Sequence, residues 1–198
     1  MQRKICTKVD PRIGCPQWKL GKEAELWTQP RGVEQRNAAL AALRALHPTN
    51  GVFYFADDDN SFSLELFDTL RKVKRVGVWT VALSGGLVHE GPIVKDGTVV
   101  GFHVGWRPDR PFPIDMASFA INCKELINHP DLRFDATAQR GFLESAFLQL
   151  IIDDKSMMEP YDYNNCDGKP CVKVWHTKTQ EPDLKAEKVA KSDPTVEV

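Results

Sequence analysis

The sequence predicts an α/β domain of the mixed-sheet kind, with helices covering the sheet. Three observations predict it. Helical and strand-like periods alternate from Val33 to Ala82, an order that packs helices onto a sheet. Asp96-Gly97 sits between β-branched residues in the run PIVKDGTVVGFH, a hairpin signal. The chain is 198 residues long with 42% hydrophobic and 27% charged residues, enough for a sizeable core.

Taken in order, residues 1–29 show no clear period and stand apart as an irregular segment, with residues 30–198 as the folded unit. Val33 to Leu46 is rich in Ala and Leu, sets Leu40, Leu43 and Leu46 on one face, and is stopped by Pro48; it predicts a helix. Gly51 to Ala56 is a short apolar, aromatic run and predicts a buried strand. Ser63 to Lys74 returns to helical spacing through Leu66, Phe67, Leu70 and Val73, and Val76 to Ala82 predicts a second strand. Pro92 to His103 is the hairpin, and Arg107 to Pro113 a proline-stiffened loop. Asp115 to Ile127 is helical in its later part, Phe142 to Ile152 is an amphipathic helix, and Cys171 to His176 is a late strand. The last residues, with four Lys from Lys178 to Lys191, predict a polar surface tail.

Lys and Arg number 26 and Asp and Glu 27, a balance that argues against binding nucleic acid by phosphate neutralisation. No run approaches the ~18 apolar residues of a membrane helix. The start, MQRKICTKVDPRIGC, lacks the apolar stretch of a signal peptide. The five cysteines lack the tight C-x2-C spacing of structural zinc. Cys166 and Cys171 bracket a turn, where a local disulfide and a pair of free thiols are both open.

Asp57, Asp58 and Asp59 end the first strand, and the carboxyl end of a strand is where open α/β sheets bind ligands. Hard oxygen donors at this spacing suit Mg²⁺ or Mn²⁺ shared with a diphosphate. The loop lacks the Gly and Glu positions of an EF-hand. Acidic residues beside a helix N-terminus are the plainer alternative. Kinases, phosphatases and sugar transferases all remain open on spacing alone. Arg31 and Arg36 stand at the start of a helix, where guanidinium groups suit an anion or simply decorate a helix end. Glu144 begins an apolar helix, as an ordinary first-turn Glu or a general base at a cleft. His176 ends an apolar strand, as a structural hydrogen-bonding group or a phosphate contact.

Seven motifs in order carry a resemblance. They are R31-G-V-E-Q-R-N37, Y54-F-A-D-D-D-N60, HEGP from His89 to Pro92, R110-P-F-P-I-D-M-A117, L143-E-S145, V174-W-H-T177 and D193-P-T-V-E-V198. Together, from about Trp27 onward, they resemble the β1,3-glucuronosyltransferases. The resemblance implies a GT-A-type nucleotide-sugar transferase fold, Mn²⁺ dependence, a homodimer and a Golgi location. It implies transfer of glucuronic acid from UDP-glucuronic acid to the terminal galactose of Gal-Gal-Xyl on a core-protein serine. By resemblance Asp59 is the metal ligand, and Arg31, Arg36, Asp57, Asp58 and His176 are donor contacts. Glu90, Trp106, Arg110 and Asp115 hold the acceptor galactoses or the glucuronate, and Glu144 is the catalytic base. Ser118, Phe62, Lys178 and Ala186 depart from the family pattern. The uracil-holding βαβ unit, opened by a T-P-T-Y-type strand, has no counterpart in residues 1–29, and no membrane anchor is visible. The chain therefore reads as a C-terminal portion, with a non-catalytic acceptor-binding or dimerisation partner as the alternative function.

Overall fold

The computed structural model describes residues 32–47, 50–161, 171–177 and 183–196. The described elements run α1 (Val33–Ala45), β1 (Val52–Tyr54), β2 (Asn60–Phe62), α2 (Glu65–Leu70), β3 (Val76–Val78) and β4 (Val81–Ala82). They continue through β5 (His89–Lys95), β6 (Thr98–His103), β7 (Phe119–Asn122), α3 (Lys124–Asn128), α4 (Leu143–Leu148), β8 (Glu159–Pro160) and β9 (Val174–His176). The fold is mixed α/β, as the sequence predicts, and is compatible with a GT-A-like transferase. Residues 1–29, and any βαβ unit sought there, lie outside the described residues.

Among the described residues the strands form two mixed sheets. One runs β1-β7-β3-β8 and the other β2-β9-β4-β5-β6. In the first, β7 is antiparallel to both β1 and β3, and β3 is parallel to β8. In the second, β9 is antiparallel to β2 and parallel to β4. Successive residues of a strand point to opposite faces. Accordingly Phe119 and Ile121 of β7 enter a large core with Val76 and Val78, while Ala120 enters a smaller one with Trp79, Val81 and Leu66.

Two expected elements are divided. Val76 to Ala82 is not one strand, because the chain leaves the first sheet at Trp79 and enters the second at Val81. The buried Trp79 donates its backbone N–H to the Ser118 carbonyl (2.9 Å) and its indole N–H to the Ala117 carbonyl (2.9 Å). In Asp115 to Ile127 the α-helix is confined to Lys124–Asn128, after a single 3-10 turn at Met116–Ser118; Phe119–Asn122 is a central strand, since two neighbouring strands bind its backbone. The helices predicted over Ser63–Lys74 and Phe142–Ile152 are shorter, Glu65–Leu70 and Leu143–Leu148. The hairpin is as expected, with Asp96 and Gly97 at φ 50° and 75° between β5 and β6. The C-terminal stretch is more than a surface tail. Glu187 accepts from Val88 N (3.0 Å), Ala186 N donates to the Gly86 carbonyl (3.0 Å), and Ser192 Oγ lies 3.1 Å from His103 Nε2. Cys123 is free and Cys171 is disulfide-bonded, while Cys166 lies outside the described residues.

α1 and α4 are held through one segment. Asn37 makes two hydrogen bonds to the Phe134 backbone, donating to its carbonyl (2.9 Å) and accepting from its N–H (2.8 Å). The Phe134 ring stacks on Phe147 of α4 with centroids 3.9 Å apart, and both are fully buried. Ser145 Oγ donates to the Phe112 carbonyl (2.7 Å) and accepts from Phe112 N–H (3.2 Å), which fixes the first turn of α4 beside the loop before β7. Removing the stacked ring leaves a cavity the packed neighbours cannot close. Phe147→Ala is expected to cost about 3–5 kcal/mol, read as a lower urea midpoint at unchanged m-value; an unmoved midpoint would place the ring outside the core.

Candidate functional site

The site forms where the two sheets meet. β1 belongs to one sheet and β2 to the other, so the segment from Asp57 to Asp59 turns across the seam, closed by Asn60 N–H to the Asp57 carbonyl (3.4 Å). β2 pairs with β9 so that Asn60 faces His176, and Thr177 N–H donates to the Asp59 carbonyl (3.1 Å). This pairing carries His176 to the aspartates. Tyr54 OH and Trp79 Nε1 both donate to the Ala117 carbonyl, each at 2.9 Å, which pins the segment holding Asp115 at the same seam.

Asp57 is partly buried and its carboxylate lies 3.3 Å from Arg36 Nη2 of α1. Burial pushes the Asp57 carboxyl up, and Asp115 and Asp59 add to the rise, against the opposing pull of Arg36 and His176. Asp58 and Asp59 are exposed on the turn. Asp115 Oδ2 lies 3.3 Å from His176 Nε2, and Asp115 Oδ1 accepts the Ala117 N–H (2.9 Å). Burial acts to raise Asp115, but His176, the Ala117 amide and the Ser84 hydroxyl outweigh it and leave it lowered. The same contact raises His176. The two groups therefore form an ion pair.

Glu90 is buried on β5 and accepts from Gly105 N–H (2.8 Å) and Ser84 Oγ (3.1 Å). Its carboxylate fills the space beside Gly85, where a Cβ would come within 1.9 Å of Glu90 Oε1. Gly85 also has a φ of 58°, so a side chain there is excluded twice. Burial raises the Glu90 carboxyl. Arg110 is buried and donates to the carbonyls of Arg107, Trp106 and Gly141, each at 3.0 Å. Its guanidinium centre lies 5.3 Å from the centroid of the Trp106 ring, and Trp106 is 45% exposed, offering an indole surface to solvent. The other edge of that indole lies on Gly141, where a Cβ would fall 2.1 Å from it.

Glu144 stands in the first turn of α4. Burial raises its carboxyl from 4.5 to about 7; Asp115 adds to the rise, while Arg110 and Arg36 oppose it. The side chain is half-buried, and a carboxyl whose titration lies near neutral pH can accept or release a proton there. Of the residues chosen from sequence, Arg36, Asp57, Asp59, Glu90, Arg110, Asp115, Glu144 and His176 thus interact across one seam. Trp106 borders it through Arg110, Asp58 stays at the exposed turn, and Arg31 lies outside the described residues. Sequence reasoning missed Ser84, which reaches both Glu90 and Asp115; a lone Ser in a turn carries no spacing signal.

The raised carboxyl of Glu144 has a consequence for stability. Below pH 4.5 it is protonated in both folded and unfolded chains and costs nothing. As pH rises through 4.5 the unfolded chain ionises first, so the cost grows until about pH 7 and is complete above it. Glu144→Gln is therefore expected to stabilise the protein at pH 8 by on the order of 3 kcal/mol and to leave it unchanged at pH 4. Thermal melting at the two pH values checks this; an equal effect at both would deny the shift.

Residues 11–180 match the family model of glycosyltransferase family 43, a match that begins inside the segment 1–29. The chain is 48% identical over 189 residues to galactosylgalactosylxylosylprotein 3-beta-glucuronosyltransferase 3 of Homo sapiens, covering 87% of this chain and 55% of the relative. It is 45% identical over 177 residues to galactosylgalactosylxylosylprotein 3-beta-glucuronosyltransferase I of Drosophila melanogaster, covering 86% and 56%. Against galactosylgalactosylxylosylprotein 3-beta-glucuronosyltransferase sqv-8 of Caenorhabditis elegans the identity is 42% over 168 residues, covering 82% and 46%. The chain spans about half the length of the curated relatives it matches. The resemblance drawn from the seven motifs is borne out, and the chain belongs to glycosyltransferase family 43.

Proposed function

We propose that the protein catalyses an inverting transfer of glucuronic acid from UDP-glucuronic acid to the terminal galactose of a Gal-Gal-Xyl-Ser linkage on proteoglycan core proteins. Membership of family 43 and the names of the relatives support the reading. The observation that carries it is Glu144, a half-buried carboxyl in the first turn of α4 with its titration moved to about 7, on which the charges of Asp115, Arg110 and Arg36 act. A general base works best when its pKa lies near the working pH.

In this reading Glu144 takes the proton of the acceptor hydroxyl as that oxygen attacks the anomeric carbon from the face opposite UDP. The new glycosidic bond forms, the bond from the anomeric carbon to the phosphate oxygen breaks, and UDP leaves with the electron pair. One carboxylate suffices, whereas a glycosidase needs a second to protonate its leaving oxygen. Glu90, Arg110 and Asp115 orient the acceptor galactoses or the glucuronate, and the exposed indole of Trp106 offers an apolar face to a sugar ring. Arg31, Arg36, Asp57 and Asp58 hold the donor nucleotide sugar, and His176 its diphosphate.

Mn²⁺ is the cofactor of this proposal. Among the described residues no group of three or more His, Cys, Asp or Glu assembles around a common point. Mg²⁺ and Mn²⁺ are commonly held by one or two carboxylates together with substrate phosphate oxygens. Asp59, exposed beside the ion pair, is the residue that would hold it. When bound, the ion offsets charge on the leaving diphosphate. We place the protein as a homodimer in the Golgi lumen; no helix among the described residues is long and apolar enough to cross a membrane.

The test is direct. The wild-type protein is expected to transfer glucuronate to a Gal-β1,3-Gal acceptor, and Glu144→Gln to lose roughly 10²–10⁴ of that rate while calorimetry with Mn²⁺ shows unchanged UDP binding. Ordinary turnover by the variant would remove Glu144 as the base, and an inactive wild type would sink the substrate assignment.

A further inference from the structure

Ser84 opens the turn between β4 and β5, with its carbonyl accepting the Leu87 N–H (2.9 Å), and it is buried. Its hydroxyl stands between two of the seam's acids. Oγ lies 3.1 Å from Glu90 Oε2 and 3.4 Å from Asp115 Oδ2. Glu90 belongs to β5, while Asp115 precedes β7 and is paired with His176 of β9. Ser84 is thus the side chain that joins the Glu90 side of the seam to the Asp115–His176 side.

We propose that Ser84 is a positioning residue of the transfer site, its hydroxyl setting the spacing of the Glu90 and Asp115 carboxylates that receive the acceptor sugar. The proposal rests on the transferase reading above for the substrate, and on the two contacts for the geometry. A hydroxyl has one hydrogen to donate. The shorter contact assigns it to Glu90, and rotation about the Cβ–Oγ bond presents it to Asp115 instead. Two like-charged groups sharing one donor repel unless something fixes them, and here both are also fixed from behind. Glu90 accepts the Gly105 amide (2.8 Å), and Asp115 accepts the Ala117 amide (2.9 Å). The backbone bonds aim each carboxylate, and Ser84 closes the gap between Glu90 Oε2 and Asp115 Oδ2, the oxygen that also faces His176. The close approach of Glu90 to Gly85 leaves the carboxylate little other room. A site that binds sugar hydroxyls by two acids needs their separation held, since the entropy of ordering them otherwise falls on the binding step.

Ser84→Ala removes the hydroxyl and keeps the volume, and Ser84→Thr keeps the hydroxyl. Two readouts separate the proposal from the reading it rests on. In protein labelled with ¹³C at Glu carboxyls, the Glu90 titration midpoint is expected to move up in Ser84→Ala, because its ionised form loses a donor, and to return in Ser84→Thr. In the transfer assay, acceptor KM is expected to rise roughly tenfold, the worth of a hydrogen bond to a charged group, with a smaller change in kcat and none in UDP affinity. An unmoved Glu90 titration overturns the positioning role whatever the activity. A moved titration in a wild type that transfers no sugar supports the geometry and overturns the substrate instead. Should Ser84→Ala fail to fold, Ser84→Cys, a weak donor of similar size, takes its place in the titration with the same expected direction.

Discussion

Asp57, Glu90 and Glu144 are each raised first by burial and then by the charge of Asp115, across a seam only partly open to water, with Arg36, Arg110 and His176 supplying opposing charge. Near a protein surface two unit charges 4 Å apart interact by about 4 kcal/mol, so the acids cannot all ionise at the same ease. The structure resolves this by inequality. Asp115, in contact with His176 and bonded to a backbone amide, is lowered; Asp57, Glu90 and Glu144 are raised. Acids whose environments push them apart can take different chemical parts at one pH.

The scaffold serves that crowding. The Ala117 carbonyl, holding both Tyr54 OH and Trp79 Nε1, fastens the two sheets at the point where the aspartate turn and Asp115 meet. Arg110 spends its N–H groups on backbone carbonyls rather than on carboxylates, so it is locked as a buried cation whose field still reaches Glu144, Glu90 and Asp115. Breaking such a cation out of its shell would leave several carbonyls and an unbalanced set of acids at once. Gly85 and Gly141 fill a parallel role by absence: one yields space to the Glu90 carboxylate, the other to the Trp106 indole.

The sequence shows the parts that depend on local rules. The alternation from Val33 onward, the Asp-Gly hairpin and the apolar run before three aspartates are each decided by neighbours in the chain. Phe119–Asn122 escaped because its strand character comes from β1 and β3, far away in sequence. Val76 to Ala82 was misjudged as one strand because nothing local marks where a chain leaves one sheet for another. The site followed the same division. Glu144 and the aspartates were legible through motif order, whereas Ser84 is visible only once β5 and Asp115 are brought beside it. The C-terminal stretch looked like solvated lysines, yet Glu187 and Ser192, which tie it down, are ordinary residues in sequence.

The central claim is that the seam keeps Glu144 protonated to neutral pH while Asp115 beside it stays ionised. Its most direct measurement is a ¹³C carboxyl titration of Glu144 in the wild-type protein, assigned by the resonance missing from Glu144→Gln. The account predicts a midpoint of about 7; an ordinary midpoint near 4.5 would contradict it.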